Sequence, residues 1–273
     1  MKAFRDITIS IDGLKIIEEE WCKHNSIPEC SLVNYWSNRM NLQIIEGARM
    51  TGRLAYGYVG DGWPGHINQD HALGRDSRNL KEAFVGDLHC RDIGDAIYQA
   101  NTILDVMKTV LHKVHVMDFG SGYGRLAIPF IYFYRKKGIL YVGVDAVPIS
   151  LIIAPQFVEQ AIDAKVVGWD EQTKNLKNFQ FVSLPSWRMD EVKQEKFHVF
   201  ITIHSFQEMT RETIDFYVNF AHNHAYEDAI FYSINLTPKD QYVPDSWELI
   251  SDIPYPIKEN RDGPFREKLW RIQ

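Results

Sequence analysis

The chain has 273 residues, 45% of them hydrophobic and 24% charged, proportions that exclude wholesale disorder. Thirty basic against thirty-six acidic side chains leave a net charge of -6, so no general positive field draws phosphate backbones and nucleic acid is not an expected partner. Three scattered cysteines (Cys22, Cys30, Cys90) form no CxxC pair, and no apolar run approaches the ~20 residues of a membrane span, which predicts a cytoplasmic chain without disulfide framework or membrane insertion.

In chain order, strand signals are sparse before residue 112. Residues 14–24, 32–50 and 91–111 carry apolar side chains at three-to-four spacing, and Ile97, Ala100, Ile103, Leu104, Met107 and Leu111 make the last an amphipathic helix. The stretch 51–94 is rich in glycine, aromatic and Asp/Asn residues, a composition for loops, and loops this long in compact proteins commonly carry function. Residues 1–97 are therefore expected to form an N-terminal helical cap with a substrate-binding loop, and residues 98–273 a second domain.

After residue 112, β-branched and aromatic runs alternate with helical patterns, the signature of a parallel sheet with crossover helices. Strands are expected at 115–119, 140–144, 179–184, 197–203 and 229–235, with Thr210 capping a helix that buries Ile214, Tyr217, Val218 and Ala221. In the tail, 247–253 and 266–272 flank a turn-rich connection and predict an antiparallel pair. That makes seven strands. Pro129, inside the helix expected after the first strand, should cost a hydrogen bond or mark a kink. Residues 166–178 read as a long polar connection.

The most informative segment is Asp118-Phe-Gly120-Ser121-Gly122-Tyr123-Gly124-Arg125, where a strand runs into three alternate glycines and then a helix. Such a turn lets backbone pass close to a ligand and aims helix N–H groups at it. Dinucleotide folds use GxGxxG, whereas here Arg125 stands where the third glycine would fall. A carboxylate at Asp118 would repel a pyrophosphate and attract the ammonium of a bound amino acid. Asp145, twenty-one residues after Gly124 in LYVGVDA, ends the next strand and is placed, with Ala146 beside it, to meet ribose hydroxyls. Together the two acids describe a ligand with an amino-acid end and a ribose end, such as S-adenosylmethionine. The plainer alternative is a helix cap, a strand end and a tight turn.

With those residues in place, DFGSGYGR followed by VGVDA resembles motifs I and II of the class I S-adenosylmethionine-dependent methyltransferases, over residues 98 to 236. The resemblance implies an α/β, Rossmann-like, seven-stranded and mostly parallel sheet with the last strand antiparallel, and S-adenosylmethionine as cofactor with S-adenosylhomocysteine as product. The segment FHVFITIHSFQEMTRETIDFYVNFA with AIFYSINL is similar to sugar O-methyltransferases among bacterial glycan-modifying enzymes, which implies a sugar hydroxyl as acceptor. Rival readings are another small-molecule acceptor and a non-catalytic binding protein of the same fold.

Methyl transfer to a hydroxyl needs a base and in-line alignment. His204, ending the fourth expected strand, is the candidate base and also borders the cofactor; the alternative is a histidine bonded to a loop carbonyl. Glu208 either orients His204, binds hydroxyls, acts as the base, or is a carboxylate at a helix N-terminus. Asn235 holds a substrate hydroxyl or closes a turn. Trp187, with Ser183 and Leu184, lines the adenine pocket or covers the sheet edge, and Tyr98, with Gln99 and Asn101, reaches the methionine part or packs in the core.

Tyr58, Trp63, His66, Asp70 and His71 supply aromatic and polar groups suited to a sugar. His66, Asp70 and His71 have no trusted metal-ligand spacing, so no metal site is assigned, while a divalent ion that lowers the hydroxyl pKa stays open. Aromatic residues in the N-terminal half suit a lid or a homo-oligomer face.

Overall fold

A computed structural model describes residues 88–107, 112–134, 136–171, 176–236, 242–255 and 265–273, with Gly13, Ile16, Ile17, Glu19, Glu20 and Lys23, all six helical. Tyr58, Trp63, His66, Asp70 and His71 lie outside the described residues. Helix α1 (Leu88–Val106) leads into β1 (Val114–Phe119), α2 (Ala127–Tyr134), β2 (Ile139–Asp145), α3 (Pro148–Ile162) and the short β3 (Val166–Val167). Then come β4 (Phe181–Pro185), β5 (Phe197–Ile203), α4 (Arg211–His224), β6 (Ala225–Leu236), β7 (Glu248–Pro254) and β8 (Phe265–Arg271). The boundary expected between residues 97 and 98 falls inside α1.

One sheet of eight strands runs in the order β3-β4-β2-β1-β5-β6-β8-β7, not seven as the sequence predicted. The additional strand is β3, two residues paired in parallel with Phe181 and Val182 inside the stretch read as a connection. Two β-branched residues are too short a run to show period-2 alternation, which is why the pattern missed them. All pairings are parallel except those of β8, which runs antiparallel to both β6 and β7. The last strand in sequence is thus the reversed one, inserted between its neighbours.

Strand periodicity sorts the core into two layers. Val114, Val116, Tyr141, Val199, Ile201 and Tyr232 face α1, α2 and α3 through residues such as Ala100, Ile103, Phe130 and Phe157. Met117, Phe119, Val142, Val144, Phe200 and Phe231 face the other way, onto Met189, Val192 and the α4 residues Ile214, Tyr217, Val218 and Ala221. Thr210 caps α4 as expected, its hydroxyl accepting the Thr213 N–H. Each fully buried Phe or Ile contributes ~1.5–3 kcal/mol.

Three prolines lie in the site's helices, and each finds a tolerable place; Pro148 opens α3, where a missing N–H costs no helical bond. Pro129 is the third residue of α2, in the first turn where no N–H has an intrahelical acceptor, so it neither costs a bond nor requires a kink. Pro155 lies within α3 and leaves the carbonyl of Leu151 without its helical donor; the Ser183 hydroxyl of β4 donates to that oxygen at 3.1 Å. Ser183, expected beside an adenine, is committed to this repair.

Candidate functional site

In an open α/β sheet, ligands bind beyond the carboxyl ends of the strands where the strand order reverses. Here the chain moves outward from β1 to β2 and β4 on one side, then returns to β5 and β6 on the other. The glycine turn and His204 follow β1 and β5, the two paired strands at that switch point.

The three glycines have different work. Gly120 (φ +78°) donates its N–H to Val144 O at 2.8 Å, and a Cβ on it would stand 2.2 Å from Ser205 Oγ. Gly124 (φ +81°) would place a Cβ 2.9 Å from Val158. Among the described residues, nothing lies within 4 Å of the ideal Cβ of Gly122 (φ +56°). Two glycines are thus required by neighbouring side chains, and the middle one is not crowded by any described side chain. Ser121 packs over β2, where Gly143 makes room: a Cβ there would come 2.7 Å from Ser121 Oγ. Tyr123 turns away, its ring edge-on to Phe157 at 5.0 Å.

Two carboxylates flank this turn. Asp118, 4% exposed, accepts the Tyr141 hydroxyl on Oδ2 at 2.6 Å. Burial raises its pKa from 3.8 to about 7, against the lowering effects of the Tyr141 bond and Arg125 and with a further raising effect from Asp145. Asp145 accepts the N–H of Gly122 on Oδ2 and of Val147 on Oδ1, both at 2.8 Å, so it braces the open glycine. Burial raises its pKa from 3.8 to about 6; the Val147, Gly122 and Ala146 amides oppose this and Glu208 adds to it. Ala146 itself is exposed at the rim.

His204 sits in the left-handed region (φ 56°) with its N–H donating to Ile234 O at 2.8 Å. A non-glycine residue held there stores strain of ~1–2 kcal/mol, a feature that clusters at functional sites. Its imidazole meets Phe265 edge-on at 4.4 Å and Tyr255 at 6.1 Å, and Gln99 of α1 donates to the Tyr255 hydroxyl at 2.8 Å. Glu208 ends the short 3-10 turn Phe206–Glu208, exposed, with its charge acting on Asp145.

Other expected site residues have structural occupations. Asn235 is fully buried: its amide donates to Ser233 Oγ at 2.8 Å and Thr202 O at 3.2 Å, and its oxygen accepts the Phe206 N–H at 3.0 Å. It closes the turn after β5, the second of the readings open to it. The Tyr98 hydroxyl donates to Glu267 of β8 at 2.7 Å. Trp187 packs against Ile17, Leu151, Ile152 and Trp169. Sequence reasoning singled out none of Tyr141, Tyr255 and Phe265, the last two lying in the stretch read as a turn-rich connection; for Tyr141 the signal was a buried acid on the neighbouring strand that needs a donor. Among the described residues no group of three or more His, Cys, Asp or Glu is placed to hold a metal, and no helix is long and apolar enough to cross a membrane.

No protein-family model matches the chain, and no curated protein matches it. Solved structures overlap it loosely. TrmN from Thermus thermophilus is 11% identical with a TM-score of 0.45, covering 67% of this chain and 53% of its own, so the chain spans about half of its length. TehB from Haemophilus influenzae is 15% identical at 0.42, with 73% and 67% covered. Magnesium protoporphyrin IX methyltransferase from Synechocystis, solved with bound S-adenosylmethionine, is 14% identical at 0.43, with 82% and 97% covered. Overlap this loose decides neither reaction nor substrate, which must be argued from the residues of this chain.

Proposed function

We propose that this chain is an S-adenosylmethionine-dependent O-methyltransferase whose acceptor is a sugar hydroxyl, free, nucleotide-linked or within a glycan. The observation that carries the cofactor reading is the open Gly122 between two buried acids, Asp118 and Asp145, at the reversal point of the sheet. Buried carboxylates raised to about 7 and about 6 are stabilised by a ligand that brings a cation to one and hydroxyl donors to the other. A pyrophosphate would bring further negative charge to both. The residues present fit the cofactor: Asp118 for the ammonium, Asp145 for the ribose, and the Gly120–Gly124 backbone for the chain between them.

The bound cofactor supplies an electrophilic methyl group on a sulfonium. His204, held by its backbone bond to Ile234 and between Tyr255 and Phe265, takes the proton of the acceptor hydroxyl on an imidazole nitrogen. Asp145 clamps the glycine turn, and the Tyr255–Phe265 wall excludes water from that side of His204. The sugar assignment draws its support from the similarity of residues 197–221 to sugar O-methyltransferases and from the aromatic and polar residues of 51–94. Incubation with radiolabelled S-adenosylmethionine and a panel of nucleotide sugars, free sugars and phenols tests it. Label transferred to a sugar is the expected result; label on phenols alone would contradict the acceptor and keep the reaction.

A further inference from the structure

The Asp118 carboxylate lies in the layer that packs against α1, α2 and α3, and one of its oxygens is held from below by a phenol of the adjacent strand. Tyr141 stands opposite Val116 in the β1–β2 register, two residues before Asp118 on the same face of β1. Its ring is fully buried, stacked beside Phe181 at 6.0 Å and tilted to Phe130 at 5.8 Å. That packing fixes where the hydroxyl points. Burial and the neighbouring Asp118 push the Tyr141 pKa well above 10, so the phenol remains a proton donor.

Resting on the S-adenosylmethionine reading above, we propose that Tyr141 is the positioning residue for the cofactor's amino-acid end. Its hydroxyl, 2.6 Å from Oδ2, fixes the rotamer of Asp118 and leaves the other oxygen for the ammonium beside the glycine turn. A charge-assisted bond of this kind also favours the ionised acid, the form that attracts an ammonium. The groups facing Asp118 set the balance: Tyr141 from β2 and Arg125 beyond the glycine turn favour the carboxylate, and Asp145 at the end of β2 opposes it. Burial, the largest influence, raises the Asp118 pKa to about 7. Capture of the ammonium end is therefore poised to respond to pH near 7, and Tyr141 sets where that response falls.

The test is calorimetric titration of the wild-type chain and of Tyr141→Phe between pH 5.5 and 8.5 with two probes. S-adenosylhomocysteine carries the amino-acid end, and 5′-methylthioadenosine shares the adenosine and lacks that end. Wild-type affinity for S-adenosylhomocysteine is expected to rise with pH through about 7. Tyr141→Phe, which preserves the ring, is expected to weaken it about tenfold at pH 7 and to move the midpoint up by about one unit, the scale of one hydrogen bond to a charged group. Binding of 5′-methylthioadenosine to the variant, expected within about twofold of wild type, reports that the fold and the ribose side are intact. Equal losses for both probes, or an unmoved S-adenosylhomocysteine profile, would overturn the positioning role while keeping the cofactor reading. No binding of S-adenosylhomocysteine by the wild type at any pH would remove that reading and the proposal with it.

Discussion

The two ends of the strands apply the same physics to opposite outcomes. At the carboxyl ends, burial drives Asp118 and Asp145 toward neutrality beside an open glycine. At the amino ends, β1 and β5 bring His115 and His198 together: His198 Nδ1 accepts the His115 N–H at 3.1 Å, and His115 Nδ1 donates to Lys196 O at 2.9 Å. The His198 ring stacks on Tyr226 at 4.1 Å, and burial with the nearby His115 lowers its pKa from 6.5 to about 4. A shifted pKa is therefore common to both ends and identifies neither. What separates them is what surrounds the groups: the histidine pair is bonded to backbone and packed against Tyr226, whereas the acids flank a turn whose middle glycine meets no described atom within 4 Å of its ideal Cβ.

The contrast is broken most forcefully by exchanging one histidine at each end. His204→Asn, in which asparagine tolerates the left-handed backbone, is expected to lower turnover by about 10²–10⁴ with S-adenosylhomocysteine affinity nearly unchanged. His198→Asn is expected to leave turnover alone. Steady-state rates and calorimetric affinities for the two variants check both halves.

Within the glycine turn the comparison sharpens at single-residue scale. Gly120→Ala meets Ser205 and adopts φ +78°, which should cost about 3 kcal/mol of stability by denaturant unfolding. Gly122→Ala meets no described side chain, so its stability loss is limited to about 1–2 kcal/mol of backbone strain while S-adenosylhomocysteine binding falls sharply. Equal unfolding penalties for the two variants would contradict the division of labour. A smaller effect, about 1 kcal/mol, is expected from Ser183→Ala, which leaves the Leu151 carbonyl opposite Pro155 unpaired.

The most diagnostic effects are in pH. Asp118 binds its proton more tightly folded than unfolded, so its contribution to stability is present below its ordinary value of 3.8 and is lost as pH rises toward about 7. His198 binds its proton less tightly folded, so its contribution is present above 6.5 and is lost as pH falls toward about 4. The two slopes oppose each other across the same window. Removing one titration at a time, with Asp118→Asn and His198→Asn, should tilt the stability profile between pH 4 and 6.5 in opposite directions; tilts of the same sign would refute the assignment.

Much of this was legible in the sequence where a local rule applied. The seven expected strands, the Thr210 cap and the buried face of α4 all follow from period and capping chemistry, and all are present. The glycine turn was readable as a motif, but only the neighbours of each Cβ distinguish Gly122 from Gly120 and Gly124. Contacts set by register and helix orientation were beyond reach. Asn235 and Ser183 looked like pocket residues because polar side chains near strand ends suggest function, yet each satisfies backbone groups far away in sequence. Tyr98 is turned toward Glu267 by the way α1 packs on the last strand.

The central claim is that Asp118, the Gly120–Gly124 turn and Asp145 together hold an adenosyl amino acid. Calorimetric titration of the purified chain with S-adenosylhomocysteine, and with NAD in parallel, tests it most directly. Micromolar-range binding of S-adenosylhomocysteine, lost in Asp145→Ala, with no heat from NAD, is the predicted result. Binding of NAD, or silence from both ligands in correctly folded protein, would contradict it and leave the glycine turn as architecture.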